Sequence, residues 1–357
     1  MAQQLTIKQI AALAGVSVGT VDRVLHNRGR VSEDALSAVR AVLDTQSYKY
    51  NLHSSAIAFK KTGKTWCIAI AIPFSKKGEY WDLIRCGIDK ALGEYCDFTL
   101  KAEYVFFDQF NSLSCHEAFE KIADMDCSAV IIGTTFVEEV QGLCVKLDKK
   151  DIPYVFVDGK VSGTHPIASY IADQTACGRL LARLMDGFVA DDAEIALFLP
   201  VRVGTQMSNN SAIRLKAFRE YFSEKGRDGI LKEAHFFADD EKKTHQEICQ
   251  FLADNPAVKG IAVVISAGYL VSDALSANGI KGLCIGGFDV TSGNARCLRE
   301  GTLDFLINQH PEQQGFNAVE STLHYLLYGA TDKELREFLP IDIVFKENLP
   351  YWQENIR

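Results

Sequence analysis

The chain has 357 residues, of which 47% are hydrophobic and 24% are charged, and its formal net charge at pH 7 is −8. At about 100–200 residues per domain, this length predicts two or three domains with buried cores. The negative total argues against a protein whose whole surface binds nucleic acid. However, residues 1–61 carry eight basic and four acidic side chains, which leaves −12 for the other 296 residues. A basic N-terminal segment is typical of a nucleic-acid contact, although a solvated basic helix face gives the same pattern.

The sequence predicts neither a membrane span nor a secretory leader. Its N-terminus has no basic segment followed by an apolar one, and no stretch approaches the roughly 18 apolar residues that a membrane helix needs. The ten cysteines are scattered singly without a Cys-x-x-Cys pair, which favours reduced, buried thiols over a disulfide or metal framework. We therefore expect a cytoplasmic protein with no membrane partner, no metal and no cofactor.

The first fifty residues predict three short helices in a helix-turn-helix arrangement. Thr6, followed three residues later by Gln9, forms a capping-box pattern at the first helix, and Ser17 and Ser32 are in position to cap the next two. This packing needs a small residue where the first two helices touch, a glycine in the turn and a branched apolar residue inside the second helix. The chain supplies Ala11, Gly15 and Val21 at the required spacing. An ordinary three-helix packing module is the alternative.

Residues 6–25 resemble the headpiece of the lactose/galactose-repressor (LacI/GalR) family. The match consists of Ala-Gly-Val-Ser at 14–17 followed by Thr-Val-x-Arg-Val-Leu at 20–25, with Asp22 where the family signature has serine. Through this resemblance, residues 1–50 are expected to form a DNA-binding headpiece and 51–63 a hinge helix and linker. The implied DNA-contacting residues are Thr6, Ser17, Val18, Gly19, Thr20, Arg23, Asn27 and Ile57.

The resemblance also implies a role for several of these residues. Ser17 and Thr20 match positions that contact phosphates, while Arg23 matches an arginine that reaches a base and is suited to guanine. Val18 and Gly19 occupy positions that read base edges, yet neither can form a bidentate hydrogen bond. Ile57 matches the hinge residue that wedges into the minor groove, with packing against its own domain as the alternative.

From residue 66 onward the sequence alternates strand-like and helical segments, which predicts parallel sheets covered by helices. The remaining 290 or so residues are too many for one such sheet, so two lobes are expected, with a ligand at the carboxyl ends of the strands. The predicted strands are 67–72, 100–107, 129–133, 154–158, 167–171, 194–198, 260–265 and 283–288. The predicted helices are 80–95, 116–125, 136–149, 175–189, 210–225 and 243–255.

This region is similar to periplasmic sugar-binding proteins in five segments that occur in the family's order: 72–81, 153–158, 211–218, 285–289 and 307–315. The similarity implies a doubly wound, two-lobed effector domain over 64–357. Its N-lobe is expected at about 64–158 and 292–325, and its C-lobe at about 160–288 and 335–350. The implied ligand-binding residues are Ser75, Tyr80, Trp81, Asp158, Arg214, Ser266, Asp289 and Gln309.

The chemistry of this set suits a polyol. The aspartates accept hydroxyl hydrogen bonds, the arginine donates a planar fork, the glutamine does both, and Tyr80 and Trp81 offer apolar ring faces. A single aspartate at a strand end is also a common helix cap, and an isolated aromatic residue is often part of the core. Gly159, where sugar binders often carry arginine, and Ser266, where an Asn-Asp pair is common, leave the identity of the ligand open.

Three functions are compatible with these features. The first is a regulator that binds a palindromic operator as a homodimer and senses a small carbohydrate between its lobes. An enzyme is the second, but the sequence has no dinucleotide or phosphate loop and no metal-spaced histidines, so we expect no catalytic residues. The third, a solute-binding protein for transport, is disfavoured by the headpiece and the missing leader.

Overall fold

The computed structural model describes residues 6–25, 31–45, 63–201, 209–237, 240–329 and 335–353. They form a small helical domain and a two-lobed α/β domain, which confirms the predicted fold class. Asn27, Ile57 and most of the expected hinge lie outside the described residues.

The headpiece contains three helices: α1 (Ile7–Ala14), α2 (Val18–Leu25) and α3 (Glu33–Thr45). Thr6 and Gln9 form both hydrogen bonds of the predicted capping box, and Gly15 ends α1 in the left-handed conformation with φ 65°. These local signals fix the angle at which α2 follows α1. Apolar side chains from all three helices then form one buried core: Ile10, Ala11, Val21 and Val39.

The N-lobe is built on a six-stranded parallel sheet. Its strands are β1 (Trp66–Pro73), β2 (Leu100–Phe107), β3 (Ala129–Gly133), β4 (Tyr154–Val157), β5 (Ala168–Ile171) and β11 (Leu335–Phe338), in the order β11-β5-β4-β3-β1-β2. Buried apolar runs such as β3 are typical of a parallel sheet covered on both faces. The covering helices are α4 (Tyr80–Glu94), α5 (Ser112–Asp124), α6 (Val137–Lys149) and α12 (Pro311–Tyr328).

The C-lobe repeats this plan with one antiparallel strand at its edge. Its strands are β6 (Glu194–Pro200), β7 (Leu231–Phe236), β8 (Val258–Val263), β9 (Cys284–Phe288), β10 (Phe305–Asn308) and β12 (Asp342–Val344), in the order β12-β10-β9-β8-β6-β7. Only β12 runs antiparallel to its neighbour. The helices are α7 (Gln174–Phe188), α8 (Asn209–Ser223), α9 (Glu241–Asp254), α10 (Gly268–Ala277), α11 (Ser292–Glu300) and the terminal α13 (Pro350–Gln353).

The chain crosses between the lobes after β5, β10 and β11, so the lobe boundaries differ from the predicted ones. Residues 168–171, expected in the C-lobe, pair with β4 of the N-lobe sheet. Residues 292–308, expected in the N-lobe, form α11 and β10 of the C-lobe, where β10 pairs with β9. Residues 335–338 pair with β5 instead of joining the C-lobe. Strand pairing decides lobe membership, and the sequence pattern shows strands without showing their partners.

Helices α4 and α12 approach each other closely in the N-lobe. A Cβ atom added at Gly87 of α4 would lie 1.9 Å from the carbonyl oxygen of Glu312, and one added at Gly315 of α12 would lie 2.1 Å from that of Ile84. The two backbones therefore meet where neither helix has a side chain. This contact is important for the cavity described below, because α4 begins with Tyr80 and α12 follows the crossover at Gln309.

In the described ranges, no helix combines the length and apolar character needed to span a bilayer.

Candidate functional site

The first candidate surface lies in the headpiece, at the start of the second helix. Thr20 donates its backbone N–H to Ser17 Oγ at 3.0 Å, and the two hydroxyl groups lie 2.8 Å apart. Val18 is 46% exposed. A shallow depression joins the starts of α1 and α2 and is lined by Thr6, Ile7, Lys8, Val18, Gly19 and Asp22. Three of the predicted DNA contacts, Thr6, Val18 and Gly19, therefore share this exposed depression.

Arg23 folds back along α2 towards its N-terminus. Its Nε donates to the carbonyl oxygen of Gly19 at 3.2 Å, and a Cβ added at Gly19 would lie 4.0 Å from Arg23 Nη2. The guanidinium therefore lies beside the position that a side chain at residue 19 would occupy. Val18 and Gly19 offer no polar side chain here, so the long hydrogen-bond donors beside this helix start include Arg23 and Lys8, which lines the same depression.

The second candidate surface is a cavity of about 710 Å³ between the two lobes. Six of the eight residues predicted to bind ligand line it: Ser75, Tyr80, Trp81, Asp158, Arg214 and Ser266. They come from both lobes and from the ends of several strands, as expected for open α/β sheets. Asp289 and Gln309 are not among its lining residues.

On the N-lobe side, the start of α4 forms one wall. The Tyr80 hydroxyl donates to Asp158 Oδ1 at 2.5 Å, and its ring packs edge-on against Trp81 with centroids 5.5 Å apart. Trp81 Nε1 donates to Gln109 Oε1 at 3.2 Å, and Ser75 Oγ donates to Glu79 Oε2 at 3.1 Å. Burial, together with the nearby Asp158 charge, raises the pKa of Tyr80 well above its usual value. Tyr80 therefore acts as a neutral donor to the carboxylate.

Arg214 occupies the floor of the cavity and is held on every side by the protein. Nε donates to Gln174 Oε1 at 2.6 Å, Nη1 to the carbonyl oxygen of Val264 at 2.9 Å and Nη2 to Gln309 Oε1 at 2.5 Å. The guanidinium carbon also lies 4.2 Å from the centroid of the Phe288 ring. The guanidinium of Arg214, which was predicted to donate to the ligand, thus donates mainly to protein acceptors. These acceptors lie in α7, directly after β8 and in the β10–α12 crossover.

Asp289 and Gln309 lie directly behind the cavity wall and are fully buried. Asp289 Oδ2 accepts from Ser266 Oγ at 2.5 Å and from Gln309 Nε2 at 2.8 Å, while Oδ1 accepts the Gln309 backbone N–H at 3.0 Å. The pair bonds two residues that do line the cavity, since Asp289 accepts from Ser266 and Gln309 accepts from Arg214. Burial raises the pKa of Asp289 to about 6 and also raises that of Asp158.

Both of these aspartates have left-handed backbone conformations. Asp158 follows β4 with φ 72°, and Asp289 follows β9 with φ 59°. Non-glycine residues rarely adopt this region, and such strain persists where the surrounding structure fixes the residue. Asp158 is fixed by the Gln314 side chain, which accepts its N–H at 2.8 Å, and Asp289 by the bond from its N–H to the carbonyl oxygen of Ile307, at 2.9 Å. These bonds hold both aspartates in place directly after their strands.

The two lobes also touch at the edge of the cavity. Tyr269 of the C-lobe donates its hydroxyl to Glu79 Oε1 of the N-lobe at 3.0 Å, and the Ser292 backbone N–H donates to the carbonyl oxygen of Gly78 at 2.8 Å. Any opening of the lobes must break these bonds. No group of three or more potential metal-binding side chains occurs in the parts of the chain with described coordinates.

Comparison with known families agrees with both surfaces. The family described as periplasmic binding protein domain matches residues 68–330, and the family described as bacterial regulatory proteins, lacI family, matches residues 6–51. The chain belongs to the periplasmic binding protein domain family and carries a lacI-family headpiece. A helix-turn-helix headpiece thus precedes a periplasmic-binding-protein-like domain, as the sequence resemblance predicted.

Curated relatives match different lengths of this chain. It is 44% identical over 134 residues to the transcriptional regulator GalR of Escherichia coli, which is 38% of this chain and 37% of GalR. It is 24% identical over 296 residues to catabolite control protein A of Streptococcus mutans, covering 79% and 77% of the two chains. The matched segments of GalR and of the Bacillus subtilis regulator DegA therefore span well under half of those proteins.

Two solved structures show how far the fold is shared. A structure from Bacteroides fragilis, assigned to the LacI transcriptional regulators, has a TM-score of 0.76 and 27% identity over 81% of this chain and 99% of that one. The regulator CelR in complex with cellobiose has a TM-score of 0.60 and 20% identity over 96% and 98% of the two chains. The second similarity is one of fold alone.

Several cavity residues were not predicted from the sequence. Thr135 and Asn210 line it with buried polar groups, and Glu79 and Tyr269 connect the lobes at its edge. Asn210 directly precedes the Ser-x-x-Arg segment at 211–214, so its position in the sequence could have indicated that it lies at the cavity. Thr135 is an ordinary residue after a strand, and only the assembled sheet places it at the cavity.

The raised pKa of Asp289 predicts a pH effect on stability. Because the folded state binds this proton more tightly than the unfolded chain does, the free energy of unfolding of the wild type should gain about 1 kcal/mol from Asp289 between pH 7 and pH 5. Asp289→Asn should lose this contribution. Urea unfolding of both proteins at the two pH values measures it. An equal pH dependence in the two proteins would show that Asp289 has an ordinary pKa.

Proposed function

We propose that this chain is a ligand-responsive transcription regulator that binds a palindromic operator as a homodimer and senses a small carbohydrate between its lobes. The observation that carries the proposal is the presence, in one chain, of an exposed helix-turn-helix face and a polar cavity lined from two lobes. A ligand that contacts both lobes favours one lobe arrangement over another. Linkage then requires that DNA and ligand alter each other's affinity.

The cavity chemistry supports a hydroxyl-rich ligand. Asp158, Thr135 and Asn210 offer hydrogen-bond acceptors, and Tyr80 and Trp81 contribute aromatic surface to the same lining. The carboxylate of Asp158 accepts from Tyr80 and is thus fixed as an acceptor, which favours binding over catalysis. Among proteins of this fold, CelR is described with cellobiose and GanP of Geobacillus stearothermophilus as a glucose-galactose binding protein.

The headpiece supports the dimer and the palindrome. Each helix-turn-helix presents one recognition helix, which is enough for a half-site of a few base pairs. Two copies related by a two-fold axis would read two half-sites, and the operator would then be palindromic. The place of action of such a protein is the cytoplasm, where the chromosome of a bacterium lies.

The proposal is tested by binding of the full-length protein to the DNA upstream of its own gene, measured by fluorescence anisotropy against a scrambled duplex of equal length. We expect tighter binding to the upstream DNA, a stoichiometry of two chains per site and an affinity that falls steeply with salt, because phosphate neutralisation releases counterions. Equal affinity for both duplexes at modest salt, with and without a panel of hexoses and hexosamines, would exclude the proposed function.

Replacement of Arg23 by alanine should weaken specific DNA binding by about 1–3 kcal/mol and relax the preference at one base pair, because alanine cannot form the two hydrogen bonds that an arginine makes with a guanine. Competition binding with single-base operator variants measures both effects. Arg299→Ala, which removes an arginine from the last turn of α11 in the effector domain, is the matched control and should leave the sequence preference unchanged. If Arg23→Ala keeps the DNA affinity and the base-pair preference of the wild type, Arg23 does not read a base.

A further inference from the structure

Three buried polar atoms have no hydrogen-bond partner in the described part of the chain and belong to residues of the interlobe cavity. They are Thr135 Oγ1, Asn210 Oδ1 and His245 Nε2, and all three residues line the cavity. Thr135 is 4% exposed and Asn210 is 6% exposed. A buried polar group without a partner costs about 1–3 kcal/mol, so such groups are normally paired. Their convergence on one cavity indicates that a ligand supplies the missing partners.

The orientation of the Asn210 amide is set by its neighbour. Its Nδ2 faces the backbone carbonyl oxygen of Asp158, and because a carbonyl can only accept, the nitrogen must lie on that side. Oδ1 is therefore left as a pure acceptor. It lies 3.2 Å from the place that a Cβ atom of Gly159 would occupy, so a larger residue at 159 would crowd this oxygen. A ligand atom at this position has to donate.

The buried charges beside Asn210 do not balance within the described residues. Asp158 and Asp289 are two carboxylates, and both interact with the single guanidinium of Arg214, whose three nitrogens each donate to protein acceptors. The cavity lining also contains Glu79, Asp108, Glu241 and Asp273 against Lys76, and of these Asp273 pairs with Arg296. Burying a net charge is costly unless a counter-charge accompanies it. This excess is negative, so it favours a cation and opposes an anion.

We propose that the effector carries a primary ammonium group, and that Asn210 Oδ1, Thr135 Oγ1 and the Asp158 carboxylate receive its three N–H donors. The chemical class is an amino-substituted polyol, such as an amino sugar with a free amine. This inference rests on the proposed function, since it names the ligand class of the same cavity. Neutral hexoses leave the charge excess in place, and sugar phosphates or uronates increase it.

Isothermal titration calorimetry of the full-length protein at pH 7 tests the proposal with matched ligands. The panel contains the 2-amino-2-deoxy forms of glucose, galactose and mannose, the three parent hexoses and the three N-acetylated amines. Acetylation keeps the nitrogen but removes its charge. We expect at least one free amine to bind ten or more times tighter than both its parent hexose and its N-acetyl form.

Two variants assign that preference to the named oxygens. Asn210→Leu and Thr135→Val should each reduce amine affinity at least tenfold. Thr322→Val is the matched control, because Thr322 is also a buried threonine but bonds the carbonyl oxygen of Ala318 in α12, away from the cavity. Thermal unfolding of each variant verifies that it is folded.

The outcomes separate the two proposals. If a neutral hexose binds as tightly as its amine, or if Asn210→Leu and Thr135→Val bind the amine like the control, the ammonium site is refuted while the sensing function stands. If no member of the panel binds and none changes DNA affinity, the carbohydrate-sensing function fails and the ammonium site fails with it.

Discussion

Replacing Arg214 by methionine should destabilise the effector domain by about 3–5 kcal/mol at pH 7, the usual cost of removing one partner from a buried ionic group. The arginine joins α7, β8 and the β10–α12 crossover, and its charge offsets Asp158 and Asp289. Methionine fills similar volume but leaves two buried carboxylates uncompensated. The cost should shrink at pH 5, because the carboxylates can then take up protons. Urea unfolding at both pH values measures it.

The control for this variant is Arg179→Ala, which removes a surface arginine that pairs with Glu224 on the same lobe. Exposed ion pairs contribute little to stability, so the midpoint of unfolding should hardly move. If Arg214→Met is no less stable than this control, or if its loss is the same at both pH values, Arg214 does not compensate the buried carboxylates.

Replacing Gly87 by valine should cost about 3 kcal/mol of stability and weaken ligand binding at least tenfold. A Cβ atom at this position would overlap the Glu312 carbonyl of α12, and because the clash is with backbone, the helices themselves must separate. Their separation would move Tyr80 at the start of α4 away from Asp158. Unfolding experiments and calorimetry with the tightest-binding hexose or hexosamine measure the two effects.

Gly93→Ala on the same helix is the matched control. A Cβ atom there has no neighbour within 4 Å, so alanine should instead stabilise the helix by about 0.5–1 kcal/mol. Ligand affinity should remain that of the wild type. Equal behaviour of the two variants would mean that the close approach of α4 and α12 does not determine the shape of the cavity.

Sequence patterns predicted most of the fold where elements carry their own local signals. The α1 capping box and strands such as β2 and β3 were predicted with the bounds that the structure has. Strand β7, Leu-Lys-Glu-Ala-His-Phe, was not predicted, because it is an edge strand with polar residues on one face. The C-terminal strands β10–β12 are only three or four residues long, too short to show a period. Lobe membership depends on pairing between distant segments, which no local pattern contains.

The sequence predicted which types of residue lie at the cavity, but not how they are hydrogen-bonded. Acidic residues at strand ends and the Arg214 segment indicated where a ligand lies, but not which groups remain available to it. The structure shows Arg214 bonded to protein acceptors and Asp289 behind Ser266, while Thr135 and Asn210 present unpaired atoms. Whether a polar group is bonded within the protein or remains unpaired depends on contacts between distant segments, so it can be seen only in the folded structure.

The central claim is that the cavity and the headpiece are coupled, and operator affinity measured with and without ligand tests it most directly. Full-length protein is titrated onto upstream DNA in the absence of ligand and again with a saturating concentration of the tightest-binding panel member. A coupling of about 1–3 kcal/mol predicts a change in Kd of roughly 5–150-fold, and DNA must change the ligand's Kd by the same factor. If both molecules bind and neither Kd changes, the account of a ligand-responsive regulator is contradicted.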